Sequence, residues 1–209
     1  MADGRLLRGE RTRAIVLDAA VATASVEGLE GMSLARLAGQ LGVSKSGLFA
    51  HWTDKQRLQL DVVEHARRQW IERIVEPALR KPPGLERLWA LHLRRLRFYA
   101  DEVLPGRCFF AAVKPEFDDK PGPVREAISR ADAEWVALLE HQVKRARDAR
   151  QLAVPVDPQL LAFEIQALGE AAAVRASGDD AALARRLSRR AVLTRLRSIA
   201  ASPSVLPKE

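Results

Sequence analysis

The sequence is poor in cysteine and in long apolar runs, and both shortages restrict what the protein can be. Its single cysteine, Cys108, cannot form an internal disulfide and fits a reducing cytoplasm. No apolar run in the 209 residues approaches the roughly 20 that a membrane-spanning helix needs. Residues 1–10 carry charge but lack the apolar stretch of a signal peptide. We therefore expect a cytoplasmic protein that does not associate with membranes.

Motifs of catalysis and of metal binding are also missing. None of the four histidines has HExxH or any other metal-ligand spacing, and there is no GxSxG motif or glycine-rich phosphate loop. Apolar residues make up 47% and charged residues 29%, which is typical of soluble globular domains, and the length allows one or two of them. We expect no enzyme activity, no metal and no cofactor.

The net charge of +7 suits a polyanionic partner, but its distribution weakens that argument. Residues 1–56 contain seven lysines and arginines against six acidic residues. Much of the excess lies near the C-terminus, where one predicted helix carries six arginines. Net charge therefore supports nucleic-acid binding only weakly.

Residues 33–41 have the pattern of a short helix. Apolar residues recur at positions 34, 37, 38 and 41, which places them on one helical face. Ser33 precedes them and can cap the first turn. Gly42 follows them and can adopt the left-handed conformation that ends a helix.

A second short helix is predicted directly after this turn. Ser44 can cap it, and we expect it to carry Leu48 and Phe49 inward. Four residues remain for its outer side: Lys45, Ser46, Gly47 and His51. Two short helices joined by a glycine turn are typical of a helix-turn-helix.

The residues that follow strengthen this interpretation. Thr53 and Gln56 have capping-box spacing and are expected to open a third helix. Taken together, residues 32–38, 42–52 and 53–58 strongly resemble the tetracycline-repressor (TetR/AcrR) family of bacterial transcription regulators.

The resemblance covers roughly residues 10–60 and includes two departures from the family pattern. Phe49 stands where many members carry tyrosine, so one expected phosphate contact is lost. Trp52 stands where many carry phenylalanine. Both changes preserve an aromatic ring for packing.

The N-terminal end of the second helix is the part expected to read DNA, because the major groove admits one helix and displays base edges distinctly. Lys45 can contact guanine edges or phosphate, Ser46 can contact base or backbone, and Gly47 lets the helix approach closely. With the family resemblance, the predicted DNA-binding set is Ser33, Ser44, Lys45, Ser46, Gly47, Phe49, His51, Trp52 and Lys55. For any one of them the alternative is a helix cap or a solvated surface residue.

Helical periodicity continues to the C-terminus, and no convincing strand interrupts it. We predict a flexible arm over residues 1–9, then helices at 10–26, 54–76, 85–101, 106–113, 124–150, 158–177 and 180–201. The expected fold is all-α with about nine helices. Residues 1–56 form a helix-turn-helix DNA-binding domain of three helices, and residues 57–209 form a helical effector-binding and dimerisation domain.

The resemblance implies that the middle helices enclose a pocket for a small-molecule effector. The candidate lining residues combine apolar and aromatic side chains with a few polar groups: Trp70, Trp89, His92, Tyr99, Cys108, Phe109, Phe110, Phe117 and Trp135. Aromatic residues at helical spacing also form an ordinary core, and that alternative stays open for each of them.

The resemblance further implies a homodimer formed through the last two helices, since one helix-turn-helix reads only a few base pairs. Small residues there would allow close packing between chains: Ala167, Gly169, Ala171, Ala172 and Ala173. The same residues could belong to the core of a single chain.

The sequence thus predicts a TetR-type DNA-binding transcriptional regulator, a repressor released from a palindromic double-stranded DNA operator by a small-molecule ligand. Two alternatives remain: a transcriptional activator of the same fold, and an architectural protein that binds nucleic acid without sequence preference. A strongly salt-dependent affinity without operator preference would favour the second.

Overall fold

A computed structural model of the chain describes residues 3–49, 51–101, 103–106, 108–175 and 180–208. The helices are α1 (Asp3–Glu27), α2 (Leu34–Leu41), α3 (Lys45–Phe49), α4 (Lys55–Trp70), α5 (Glu76–Leu79), α6 (Leu85–Ala100), α7 (Phe109–Phe117), α8 (Pro123–Asp148), α9 (Pro158–Val174) and α10 (Ala181–Ile199). A π-helical turn (Ile71–Val75) and a 3-10 turn (Pro203–Val205) accompany them. The described residues contain no strand beyond one antiparallel bridge between Leu152 and Ala200, so the all-α prediction is confirmed. None of these helices is both long and apolar enough to cross a membrane.

The chain forms two compact units, each built from two stretches of sequence. The first contains Met1–Arg68 and Leu104–Ser129, and the second contains Gln69–Val103 and Arg130–Glu209. This division differs from the predicted boundary after residue 56, because α4 as far as Arg68 and all of α7 belong to the same unit as the N-terminal helices. The limits 1–56 and 57–209, as functional domains, stay a prediction.

Two helix boundaries differ from the predicted ones: the start of α1 and the end of the helical segment that follows α4. α1 begins at Asp3 rather than near Glu10, so most of the predicted flexible arm is helical. The helix predicted to end before Pro77 continues beyond it, through the π-helical turn into α5. Proline lacks a backbone N–H and its ring crowds the preceding turn, which disrupts a regular α-helical ladder. The wider turn, in which the N–H of Glu76 donates to the carbonyl of Ile71, accommodates the proline.

Asp157 and Pro158 begin α9 as predicted. The Asp157 carboxylate accepts the N–H groups of Gln159 (2.8 Å) and Leu160 (3.4 Å). Pro158 occupies the first turn, where a missing N–H breaks no helical hydrogen bond. The predicted end of this helix, near residue 177, lies outside the described residues.

A buried arginine organises the interior of the second unit. Arg95, on α6, is 1% exposed, and its guanidinium donates to the side-chain oxygen of Gln166 (2.8 Å) and to the carbonyl of Ile165 (2.6 Å) on α9. The guanidinium also lies 5.5 Å from the centre of the Trp135 ring. A β-carbon on Gly169 would lie 1.5 Å from an Arg95 nitrogen, so only glycine leaves room for the arginine. Gly169 therefore serves packing within the chain, not the predicted dimer contact.

His92 extends this network with a fixed ring orientation. Its Nδ1 lies 3.3 Å from an Arg95 nitrogen that can only donate, so the ring proton sits on Nε2, which faces the hydroxyl of Ser188 (3.3 Å). The Ser188 hydroxyl in turn donates to the carbonyl of Leu168 (2.7 Å). Burial, and then the charge of Arg95, hold the pKa of His92 well below its ordinary value of 6.5.

This lowered pKa makes stability depend on pH. Below pH 6.5 the unfolded chain binds a proton on His92 that the folded chain does not, so stability falls as the pH drops below that value. Between pH 6.5 and 5.5 this one group should remove about 1 kcal/mol from the free energy of unfolding. Urea unfolding at several pH values in this range gives the free energy of unfolding as a function of pH. In His92→Gln this free energy should fall less steeply with decreasing pH than in the unmodified chain. His141→Gln, at an exposed position on α8, is the control and should keep the full slope.

Candidate nucleic-acid interface

Two short helices and a tight turn form the predicted DNA-reading unit. Ser33 caps α2, with its hydroxyl oxygen accepting the N–H of Arg36 (3.2 Å). Gly42 ends α2 with φ at 64°, in the left-handed region, and the N–H of Val43 donates back to the carbonyl of Ala38 (3.1 Å). Both the cap and the glycine turn are confirmed.

α3 is a single helical turn, and among its described side chains Leu48 is the buried one. Leu48 is 1% exposed, whereas Phe49 is 50% exposed. The prediction that both point inward was wrong for Phe49. Successive residues of a helix are rotated by about 100°, and here that rotation leaves Leu48 facing the protein and Phe49 facing outward. The phenyl ring of Phe49 is instead available to a partner.

Six of the nine predicted DNA-binding residues lie on the protein surface: Ser33, Ser44, Ser46, Phe49, His51 and Lys55. Lys45 and Gly47 belong to α3, and their side-chain positions lie outside the described part of the structure. Trp52 is fully buried, at 0% exposure. The structure therefore corrects its assignment, because Trp52 supports the surface from beneath and does not present its ring to DNA.

The support for Trp52 is a hydrogen bond that sequence reasoning missed. The indole Nε1 donates to the Oδ2 atom of Asp61 on α4 (2.8 Å). Buried indole N–H groups usually have a hydrogen-bond acceptor, so a buried Trp52 would have predicted a polar partner on a neighbouring helix. Periodicity along α4 could not show which residue supplies it.

Asp54 caps α4, one position before the helix begins at Lys55. One carboxylate oxygen of Asp54 accepts the N–H of Arg57 (2.8 Å) and the other accepts the hydroxyl of Thr53 (3.1 Å). These hydrogen bonds, the one from Arg57 first, hold the pKa of Asp54 below its ordinary value. The predicted capping box of Thr53 and Gln56 was therefore wrong, because the adjacent carboxylate takes the capping role.

A carboxylate on α7 holds the loop that precedes α2. Glu116 accepts the N–H groups of Leu29 (3.1 Å) and Glu30 (2.8 Å). The Glu30 carboxylate pairs with Lys120, and this hydrogen bond and charge hold the pKa of Glu30 below its ordinary value. The backbone carbonyl of Glu30 accepts a hydrogen bond from the ammonium group of Lys55. One loop residue thus links α7 to a lysine predicted to contact phosphate.

Gly28 is required at the start of this loop for two reasons. Its φ is 83°, in the left-handed region, and a β-carbon there would lie 2.1 Å from a Glu116 oxygen. Gly28→Ala should lower the free energy of unfolding by about 2 kcal/mol, from backbone strain and from the displaced carboxylate. Gly42→Ala is the matched control, since its φ is also positive but no atom lies within 4 Å of the added carbon. Urea unfolding should show about half the loss for Gly42→Ala, and equal losses would contradict the role of Glu116.

The predicted pocket residues fall into both compact units. Five belong to the second unit: Trp70, Trp89, His92, Tyr99 and Trp135. Four belong to the first: Cys108, Phe109, Phe110 and Phe117. In the second unit the ring centre of Trp70 lies 5.2 Å from Trp135, 6.4 Å from Tyr99 and 5.9 Å from Phe98, a residue that the prediction omitted. No group of three or more potential metal ligands occurs among the residues that the structure describes.

Both halves of the sequence match models of known protein families. Residues 16–62 match the bacterial regulatory proteins of the tetR family. Residues 84–192, more than half of the chain, match the tetracyclin repressor-like C-terminal domain. No curated protein sequence matches the chain.

Solved structures show the same fold. A TetR transcriptional regulator from Chloroflexus aurantiacus J-10-FL superposes with a TM-score of 0.84 at 22% identity, covering 92% of this chain and 98% of that one. A TetR-family regulator from Agrobacterium tumefaciens gives 0.77 at 21% identity, covering 91% and 99%. AibR, solved in complex with isovaleryl coenzyme A and operator DNA, gives 0.70 at 18% identity, covering 88% and 96%.

The capped α2, the glycine turn and the exposed side of α3 form a helix-turn-helix at the position where the first family model matches. The second family model accounts for the helices that follow. The chain therefore belongs to the TetR family of bacterial DNA-binding transcriptional regulators.

Proposed function

We propose that the protein is a cytoplasmic repressor that binds a palindromic double-stranded DNA operator as a homodimer and leaves it when a small-molecule effector binds. The observation that carries this proposal is which side chains at α3 are exposed and which are buried. Ser46 and Phe49 are exposed on this turn, while Leu48 and Trp52 are buried beneath it. A short helix anchored from one side in this way can enter the major groove with its other side.

The exposed residues then take two roles. The N-terminal turn of α3, with Lys45, Ser46 and Gly47, faces base edges and the nearest phosphates. A second group is proposed to hold the DNA backbone through hydroxyl, imidazole and ammonium groups: Ser33, Ser44, His51 and Lys55. Residues 1–56 are the proposed DNA-binding domain, and residues 57–209 the effector-binding and dimerisation domain.

Dimerisation through α9 and α10 is supported by an exposed apolar stripe. The exposed apolar residues of α9 recur at intervals of three and four: Leu160, Phe163, Ala167, Ala171 and Val174. α10 adds Leu183 and Leu187, which are also exposed. This spacing is typical of a helix that packs against another helix, and large apolar side chains in series are unfavourable in water. Of the small residues predicted to lie at the interface, Ala167 and Ala171 lie on this stripe.

The proposed effector site is the aromatic cluster of the second unit around Trp70. One of its rings, that of Trp135, lies beside the polar groups of Arg95 and Gln166, and small-molecule sites use this combination of apolar walls and a few polar groups. The likeness to AibR, which was solved with isovaleryl coenzyme A and operator DNA, supports a ligand-responsive mechanism without identifying the ligand. A ligand that prefers one conformation of the dimer shifts the population toward it. A contribution from Cys108, Phe109, Phe110 and Phe117 stays a prediction.

Electrophoretic mobility shift with the purified protein and the DNA upstream of its own coding sequence tests the proposal, with excess random DNA as competitor. We expect a discrete shift that Lys45→Ala and Ser46→Ala each weaken at least about tenfold. Lys144→Ala and Ser202→Ala, at exposed positions outside the helix-turn-helix, are the matched controls and should leave the shift unchanged.

The other outcomes separate the alternatives. A shift that random DNA erases, and that falls steeply with salt, would contradict the repressor and favour a nonspecific architectural protein. A specific shift combined with lower transcription from the bound promoter when the gene is deleted would show an activator.

A further inference from the structure

α3 cannot set its own orientation. A single helical turn is marginally stable in isolation, so its direction depends on contacts with the rest of the first unit. Leu48 supplies apolar burial, but apolar contacts have little directional preference. Three residues beyond the helix, Trp52 adds a directional contact through its 2.8 Å hydrogen bond to Asp61.

Asp61 receives more than this indole N–H. Its Oδ2 atom also accepts a guanidinium nitrogen of Arg13 on α1 (2.5 Å), and its Oδ1 atom lies 3.8 Å from Nε of Arg57, one turn earlier on α4. The Arg13 guanidinium lies 5.7 Å from the centre of the Trp52 ring, so it stacks on the ring whose N–H shares the same carboxylate. The Asp61 side chain is 15% exposed, so the carboxylate is largely shielded from water although its two arginine partners are not. One carboxylate therefore joins α1, α4 and the segment that follows α3.

We propose that Asp61 is a positioning residue for DNA reading, and this rests on the function proposed above. By holding Trp52, it fixes the orientation of α3 and of His51, whose ring centre lies 5.6 Å from that of Trp52. A phenylalanine at position 52 would bury a similar ring but could not donate to Asp61. The tryptophan and the aspartate thus act as a pair that sets how the exposed residues of α3 meet the bases.

A positioning role is distinguishable from a simple charge effect. Asp61 is negative and belongs to the unit that binds a polyanion, so neutralising it strengthens attraction to any DNA. Loss of positioning weakens binding to the correct sequence, since base contacts need α3 in one orientation, and leaves phosphate attraction in place. The informative quantity is therefore the ratio of the dissociation constants for a random duplex and for a specific one.

The experiment measures both dissociation constants by fluorescence anisotropy. The specific duplex is one enriched from a random library by the unmodified chain, and the second is its scrambled counterpart. Asp61→Asn should lower the ratio about tenfold through weaker binding of the enriched duplex, while the scrambled duplex binds equally or more tightly. Trp52→Phe, which removes the N–H without changing charge, should lower the ratio in the same direction.

Glu64→Gln is the matched control. Glu64 also lies on α4 and pairs with two arginines, Arg67 (3.4 Å) and Arg68 (3.9 Å), but both are on its own helix. The substitution changes charge by the same amount, so both affinities should move together and the ratio should stay constant. The double variant Trp52→Phe with Asp61→Asn should lower the ratio no further than Asp61→Asn alone, because both changes remove the same hydrogen bond.

Each contrary result has a defined meaning. An unchanged ratio in Trp52→Phe overturns the proposal, as does an equal loss of affinity for both duplexes, which would indicate a structural role only. Thermal unfolding without DNA identifies a variant that fails to fold, and Trp52→Phe then decides in place of Asp61→Asn. If the unmodified chain enriches no sequence at all, the proposed function fails and the positioning role with it.

Discussion

Replacing Gly169 with alanine is expected to lower the free energy of unfolding by about 3 kcal/mol. The added β-carbon would lie 1.5 Å from one Arg95 nitrogen and 1.8 Å from the central guanidinium carbon. The guanidinium is buried, so it cannot move into solvent without breaking its hydrogen bonds to Gln166 and Ile165. The cost therefore combines a steric conflict with the loss of partners by a buried charge.

Gly39→Ala is the matched control for this substitution. Gly39 also lies inside a helix, α2, but no atom lies within 4 Å of the position its β-carbon would take. Alanine is a better helix former than glycine, so this variant should gain roughly 0.5–1 kcal/mol. Urea unfolding of the two variants should therefore give changes of opposite sign. A stabilised Gly169→Ala variant would contradict the packing of Arg95 against α9.

Phe163→Glu is expected to convert the proposed dimer to a monomer and to weaken operator binding at least about 100-fold. Phe163 is 68% exposed in the single chain and is the second of the five residues that form the α9 stripe. In a symmetric dimer the substitution would bury two carboxylates in an apolar interface, which is strongly unfavourable. Because two linked DNA-binding domains bind far more tightly than one, loss of the dimer removes most of the affinity for the operator.

Leu79→Glu controls for adding a charge to the same unit. Leu79, on α5, is 42% exposed but lies outside α9 and α10, so this variant should stay dimeric. Light scattering coupled to size-exclusion chromatography measures the mass of each variant. A dimeric Phe163→Glu protein with normal DNA binding would mean that another surface forms the dimer.

Features set by neighbours in the sequence could be predicted, because their chemistry is local. The Ser33 cap, the glycine turn at Gly42 and the Asp157 cap each depend on residues within five positions. Where local prediction failed, a neighbour competed for the same role. Asp54 caps α4 in place of Thr53: its carboxylate accepts the N–H of Arg57, and the Thr53 hydroxyl donates to the same carboxylate instead of capping the helix itself.

Contacts between distant parts of the chain could not be predicted from the sequence. Glu116 binds the N–H of Leu29 across 87 positions, and Arg95 donates to Gln166 across 71. Periodicity shows that a helix has a buried side but not which helix covers it. Gly169 was assigned to a dimer contact for this reason. A small residue allows two helices to approach closely both between chains and within one chain, and the sequence does not distinguish the two cases.

The surface proposed to read DNA also combines features that could be predicted with others that could not. The exposed positions of Ser46 and His51 follow from the local pattern, whereas the support beneath them, Trp52 with Asp61, depends on three helices packing together. Prediction from sequence therefore named six residues that are exposed, wrongly placed Trp52 among them, and missed the contact between Trp52 and Asp61.

The most direct test of the central claim, that this chain reads a specific DNA sequence as a symmetric dimer, is selection from a random library of duplexes followed by the mass of the bound complex. We expect enrichment of an inverted repeat with half-sites about 10 base pairs apart, or a multiple of that, bound by two chains or a multiple of two. Failure to enrich any sequence, or a single unrepeated site bound by one chain, would contradict it.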